Sequence, residues 1–132
     1  MLGTNDVKVE YHATPSQIAS GLGQMIRELY QHYKLLQLDP PKLIVVCPPP
    51  LEETAGINSE GMFDLQSVAA SHELAELYRQ TAQTYSCCFL DAGKVTRFDM
   101  QEGIHLNING HLLLAKAIAG IISGMNWLER LE

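Results

Sequence analysis

Leu43-Ile44-Val45-Val46-Cys47-Pro48-Pro49-Pro50 decides the fold class of this chain. An unbroken apolar run centred on β-branched residues makes a short strand with no polar face. Such a strand is covered on both sides, as in a parallel sheet. The prolines stop it, because proline cannot donate to a ladder. Upstream, Thr14-Pro15-Ser16-Gln17 opens a helix: Thr14 caps, Pro15 suits the first turn and Gln17 completes a capping box. Ile18, Leu22, Ile26, Leu29, Tyr33 and Leu36 then recur at helical spacing, until Asp39-Pro40-Pro41 ends the pattern. Downstream, residues 51–61 read as a loop at the strand's C-terminal end. Residues 64–85 read as a second helix with Val68, Ala75, Tyr78, Ala82 and Tyr85 on one stripe. Cys87-Cys88-Phe89-Leu90 is a second strand, ending at Asp91. A third helix starts near Asn107 or Asn109 and carries Leu112, Leu113, Ala115, Ile118, Ala119 and Ile122. Trp127 and Leu128 close the core or serve a subunit contact, and Met1-Leu2 reads as the end of a further strand running into a loop.

Helix, strand, helix, strand, helix, with crossover lengths that suit βαβ units, predicts a three-layer α/β/α domain with a mostly parallel sheet. One such domain spans residues 1–132. In open α/β sheets, functional residues lie beyond the carboxyl ends of the strands. Asn5 follows the first strand, the proline loop the second and His105 the third, so all three are expected at one edge.

Composition narrows the function. The 132 residues suffice for one core, and 46% hydrophobic against 18% charged is a globular balance. Net charge is −6 with no Lys/Arg cluster, and an acidic surface repels phosphate backbones, so nucleic acid is not an expected partner. Cys47, Cys87 and Cys88 form neither a disulfide framework nor a CxxC pair, and each sits in an apolar run as a small hydrophobe. No apolar stretch is long enough to span a membrane and no signal peptide is visible, which makes a cytoplasmic location the expectation. Gly21-Leu22-Gly23 lies inside a helix pattern, so it is not a dinucleotide loop.

Two short motifs carry chemistry. In Glu102-Gly103-Ile104-His105, an acid can fold back across a glycine turn to the histidine. An imidazole held in that way can take a hydroxyl proton and return it to a leaving group near neutral pH. On spacing alone, a surface loop with a helix-capping histidine is the better reading, because isolated motifs are common by chance. In Gly3-Thr4-Asn5-Asp6, the Asn5 amide can donate to a developing oxyanion and Asp6 can hold the loop through backbone hydrogen bonds. An ordinary turn fits that stretch as well. Glu102, His105 and His111 match no helical metal motif, so no metal is expected.

Together these segments resemble the SGNH (GDSL-type) esterase and lipase family, above all its arylesterase and acyltransferase-like branch. Met1-Leu2-Gly3-Thr4-Asn5-Asp6 looks like the family's oxyanion-hole block, and Glu102 through His105 looks like its acid–histidine block. Residues 43–50, Glu76-Leu77-Tyr78-Arg79 and Phe89-Leu90-Asp91-Ala92-Gly93 look like scaffold segments. The resemblance implies a flavodoxin-like fold and a serine hydrolase of small-molecule carboxylic esters without a cofactor. Asn5 would be an oxyanion donor in a loop with Gly3, Thr4 and Asp6. His105 would be the general base, and Glu102 would stand in the orienting acid's place. The family usually has aspartate there, and Asp99 is a second candidate.

The family's Gly-Asp-Ser nucleophile block lies upstream of the Asn block, and this chain has no Gly-Asp-Ser. Ser16, Ser20, Ser67 and Ser71 fall in or at the start of helices, and Ser59 lacks a strand-to-helix elbow. The expectation is therefore a domain with its N-terminal part missing. Its open edges would favour a homo-oligomer or a complementing N-terminal segment. The alternative is a catalytically inactive remnant acting only through self-assembly or a partner chain. Residues 48–63 are expected to shape the acyl or alcohol pocket.

Overall fold

The computed structural model describes residues 1–125, so Trp127 and Leu128 lie outside the described residues. Helix α1 spans Pro15–Leu35. The Gln17 amide donates to Thr14 Oγ1 (3.3 Å) and the Thr14 amide to Gln17 Oε1 (2.8 Å), the expected capping box. The helix stops short of the prolines, and Gln37 turns the chain at φ 56°. Leu36, assigned to the core stripe by its spacing, is consequently exposed.

Strand β1 is Ile44–Cys47, and β2, Cys88–Asp91, pairs with it in parallel, Ile44 opposite Cys88 and Cys47 opposite Asp91. Between them run a short helix, α2 (Ala55–Asn58), that periodicity did not reveal, and the crossover helix α3 (Leu65–Thr84). Asp64 caps α3 by accepting from the Ser67 amide at 2.7 Å. Helix α4 (Ile108–Gly124) follows, capped by Asn107, whose Oδ1 accepts from the Gly110 amide at 2.9 Å.

Successive strand residues face opposite sides of a sheet, so the unbroken run of β1 serves two cores. Val45 and Cys47 pack with Ile18 and Ile26 of α1 and with Leu74, Tyr78 and Ala82 of α3. Val46 faces the other way, onto Ala92 and Leu114, with Ile118 beside them. The result is a flavodoxin-like α/β/α arrangement. Loop residues Val7, Leu51, Phe63 and Phe98 complete the larger core.

Three expectations change. Met1 and Leu2 are exposed and form no strand. Leu112, Leu113 and Ile122 are exposed, whereas Leu114 and Ile118 touch the sheet. A helix apolar on nearly every side names no face by itself, and the narrow sheet selects one i, i+4 pair. Of the cysteines only Cys47 is buried. Cys88, first residue of β2, is exposed and Cys87 is half-buried.

Burial, and then the nearby charge of Asp91, push the Cys47 thiol up to about 12, so it stays protonated at neutral pH. In the native state a maleimide reagent should therefore modify Cys88 and leave Cys47 untouched until denaturant is added. Mass mapping of the adducts checks this. Leu74→Ala, at a site 1% exposed, should cost roughly 2–5 kcal/mol in urea unfolding.

Candidate active site

Parallel strands deliver their carboxyl ends to one edge of the sheet, and two segments meet there. The first is the turn at residues 3–8. The Asp6 amide donates to the Gly3 carbonyl (3.0 Å) and the Lys8 amide to the Asn5 carbonyl (3.2 Å). Asp6 thus closes the turn through its backbone. Gly3 sits at φ +126°, and a Cβ there would lie 2.7 Å from the Tyr78 hydroxyl and 3.3 Å from Leu74 Cδ1. Glycine alone lets this turn settle onto α3, and that contact fixes where Thr4 and Asn5 emerge. Burial of Tyr78 pushes its phenol well above the usual range, so it stays neutral beneath the turn.

The second segment is the loop at residues 99–105. The Gly103 amide donates to the Asp99 carbonyl (2.7 Å), and the Asp99 amide donates to the His105 carbonyl (2.8 Å). Glu102 then engages His105 twice. One carboxylate oxygen accepts from the His105 amide at 2.9 Å, and the other contacts ring Nδ1. A carboxylate only accepts, so Nδ1 carries a proton, and in the neutral ring Nε2 is the acceptor. Asp99, the other acid considered, spends its Oδ1 on the Gln101 amide at 2.9 Å. Between the two, Glu102 is the one that holds the ring.

Asn5 and His105 line the same cleft of about 290 Å³. Gly3, Thr4 and Asp6 contribute to its wall, together with Met1, Leu2, Phe98, Ile104 and Leu106. His111, in the first turn of α4, also faces the cleft. Its spacing from Glu102 and His105 matched no metal motif, so the sequence assigned it no role. No serine lines the cleft. Ser59 and Ser71 are buried and committed to structure. Ser59 accepts from the Phe63 amide at 2.9 Å, and Ser71 Oγ donates to the Val68 carbonyl at 2.6 Å and accepts from the Leu51 amide at 2.9 Å.

Residues 48–63 do not line this cleft, contrary to expectation. They pack behind the histidine loop instead. Gly103 at φ +86° approaches them so closely that a Cβ would stand 2.5 Å from the Ala55 nitrogen. The core residues Leu51 and Ala55 draw this stretch inward, which is why it backs the site and leaves the mouth open. Among the described residues no helix is long and apolar enough to cross a membrane.

The profile of the GDSL-like lipase/acylhydrolase family matches residues 1–118. Among solved structures, Est24, a carbohydrate acetylesterase from Sinorhizobium meliloti, is 35% identical with a TM-score of 0.84, over 93% of this chain and 58% of that one. The native aryl esterase of M. smegmatis is 30% identical with a TM-score of 0.83, again over 93% and 58%. A putative arylesterase from Agrobacterium tumefaciens is 29% identical, TM-score 0.79, over the same shares. This chain therefore spans less than two thirds of the length of each of these relatives. A comparison with curated proteins finds no match.

Gly103→Ala should displace the histidine loop. A left-handed φ costs a Cβ-bearing residue roughly 1–2 kcal/mol, and the overlap with Ala55 adds roughly 1–3 kcal/mol. Urea unfolding should report the sum, and the amide resonance of His105 should shift.

Proposed function

The chain belongs to the GDSL-like lipase/acylhydrolase family, and on that premise we infer that it carries the general base and an oxyanion donor of a serine esterase. The observation behind this is the shared cleft: Asn5 and a carboxylate-held His105 face the same space. A serine hydroxyl supplied by polypeptide other than the cleft-lining segments attacks the acyl carbonyl carbon. Its proton passes to His105 Nε2 while Nδ1–H donates to Glu102, which stabilises the imidazolium. The Asn5 amide donates to the carbonyl oxygen as it becomes an oxyanion. Collapse of the tetrahedral intermediate breaks the ester C–O bond, and His105 returns the proton to the departing alkoxide. Water, deprotonated by the same imidazole, then attacks the acyl-serine and releases the acid.

Aryl esters and acetylated carbohydrates are the first substrates to test, because the solved relatives are named as an aryl esterase and a carbohydrate acetylesterase. The cleft suits a small acyl group: Phe98, Ile104 and Leu106 give it apolar walls beside the polar pair.

A second reading, a non-catalytic chain that works through assembly, draws on the outer edge of β1. That strand pairs on one side only among the described residues. Beside its free edge runs an apolar groove of about 220 Å³ lined by Leu22, Met25, Leu29, Leu43 and Val45, with Met1 and Leu2 at its rim. Such an edge accepts a further strand.

One series of assays separates the readings. The purified chain is assayed on an aryl acetate alone and after mixing with the N-terminal portion of an arylesterase relative. Turnover is expected in the mixture. His105→Ala should lower it roughly 10²–10⁴-fold, and Asn5→Ala should lower kcat roughly 10²–10³-fold. A stable mixed complex with no turnover favours the assembly reading. Undiminished turnover by His105→Ala removes the esterase reading.

A further inference from the structure

Residues 51–58 grip the histidine loop on both sides of Glu102. The carbonyl of Gln101, the residue before it, accepts from Asn58 Nδ2 at 3.0 Å. The carbonyl of Gly103, the residue after it, accepts from the Glu52 amide at 3.1 Å. The backbone that carries the acid is therefore clamped at the carbonyls of the residues on either side of it by one short segment. Close packing tightens the same junction, since Gly103 leaves no room for a Cβ against Ala55 or against Thr54 Oγ1, which would lie 2.7 Å away.

The clamp is itself anchored. Leu51 and Ala55 are buried in the main core. The Asn58 backbone is held by its own amide, which donates to the Thr54 carbonyl at 2.9 Å. The Asn58 side chain thus leaves a fixed point and meets a loop that is otherwise held from outside by the Glu52 amide. A loop with a glycine at its centre has more backbone freedom to lose than any other, so outside restraints decide how often Glu102 faces the imidazole.

We propose that Asn58 is a positioning residue: with the Glu52 amide it clamps the carbonyls of Gln101 and Gly103, on either side of Glu102, and so sets the orientation of the His105 ring. This rests on the esterase reading for its catalytic consequence, but the clamp is readable without turnover. Asn58 is exposed, and its substitution opens no cavity in the core.

The test uses Asn58→Ala and Asn58→Asp. The second keeps the size but replaces the donating amide with a carboxylate, which only accepts. In the intact chain, hydrogen exchange of the His105 amide, which donates to Glu102, and of the Gly103 amide should accelerate roughly tenfold in both variants, the effect of losing one hydrogen bond. Exchange of the Cys88 amide, which donates to the Leu43 carbonyl at the opposite, amino end of the ladder, should not change. In the assembly that turns over aryl acetate, kcat should fall roughly tenfold at constant KM, because a misoriented base weakens the transition state and leaves substrate binding intact. Asn58→Gln, which retains a donor, should restore part of both. Unchanged exchange in Asn58→Asp overturns the clamp. Faster exchange with unchanged kcat overturns its positioning role. Failure of the esterase reading would appear separately, as a mixed complex without turnover or as full turnover by His105→Ala, and the exchange measurement still decides the clamp.

Discussion

The ladder that joins Ile44–Cys47 to Cys88–Asp91 is only four residues long, yet its parallel sense constrains everything around it. Parallel strands cannot be joined by a hairpin, so the chain must cross over through α3, and both strands must end at the same edge. That edge is where the loops at 48–63 and 92–106 leave the sheet. A slip of one residue in the ladder would exchange Val46 with Val45 and Cys47 between the two cores and undo both. The position of the cleft is thus a consequence of strand register before it is a matter of any reactive side chain.

The two halves of the site are then seated by close backbone approach. Gly3 rests on Tyr78, and Gly103 rests on residues 54–55. Each glycine adopts a left-handed φ where a Cβ would also collide, so steric exclusion and conformation select the same residue. The polar work that remains is short-range. One carboxylate, Glu102, holds both the amide and the ring of a residue three positions on. Such a pair is exposed and depends on the loop beneath it, which gives the contacts from residues 52–58 their importance.

Much of this was legible in the residues themselves. The Thr14 capping box, both strands and the spacing of Glu102 from His105 are interactions across three or four positions, or patterns of period two and 3.6. What could not be read has a common cause. In α4 apolar residues fall on almost every side, so periodicity carries little direction, and the sheet shows that Leu114 and Ile118 are the pair that packs on it. Cys88 shares its composition with the buried run, but it opens the outer strand. Residues 48–63 were assigned to the pocket wall because loops at that edge usually face it, whereas Leu51 and Ala55 pull the stretch behind the histidine loop.

By itself, then, the sequence determined the two strands, the three long helices and their α/β order, because each depends on neighbours along the chain, while the choice of Glu102 over Asp99 as the acid that holds His105 came from the loop's fold. Tertiary structure decided that Asn5 and His105 border one cleft, that His111 joins them, and that Asn58 stands behind Glu102. Those relations join segments far apart in the chain, and they exist only once strand register and helix packing have brought the segments to one edge.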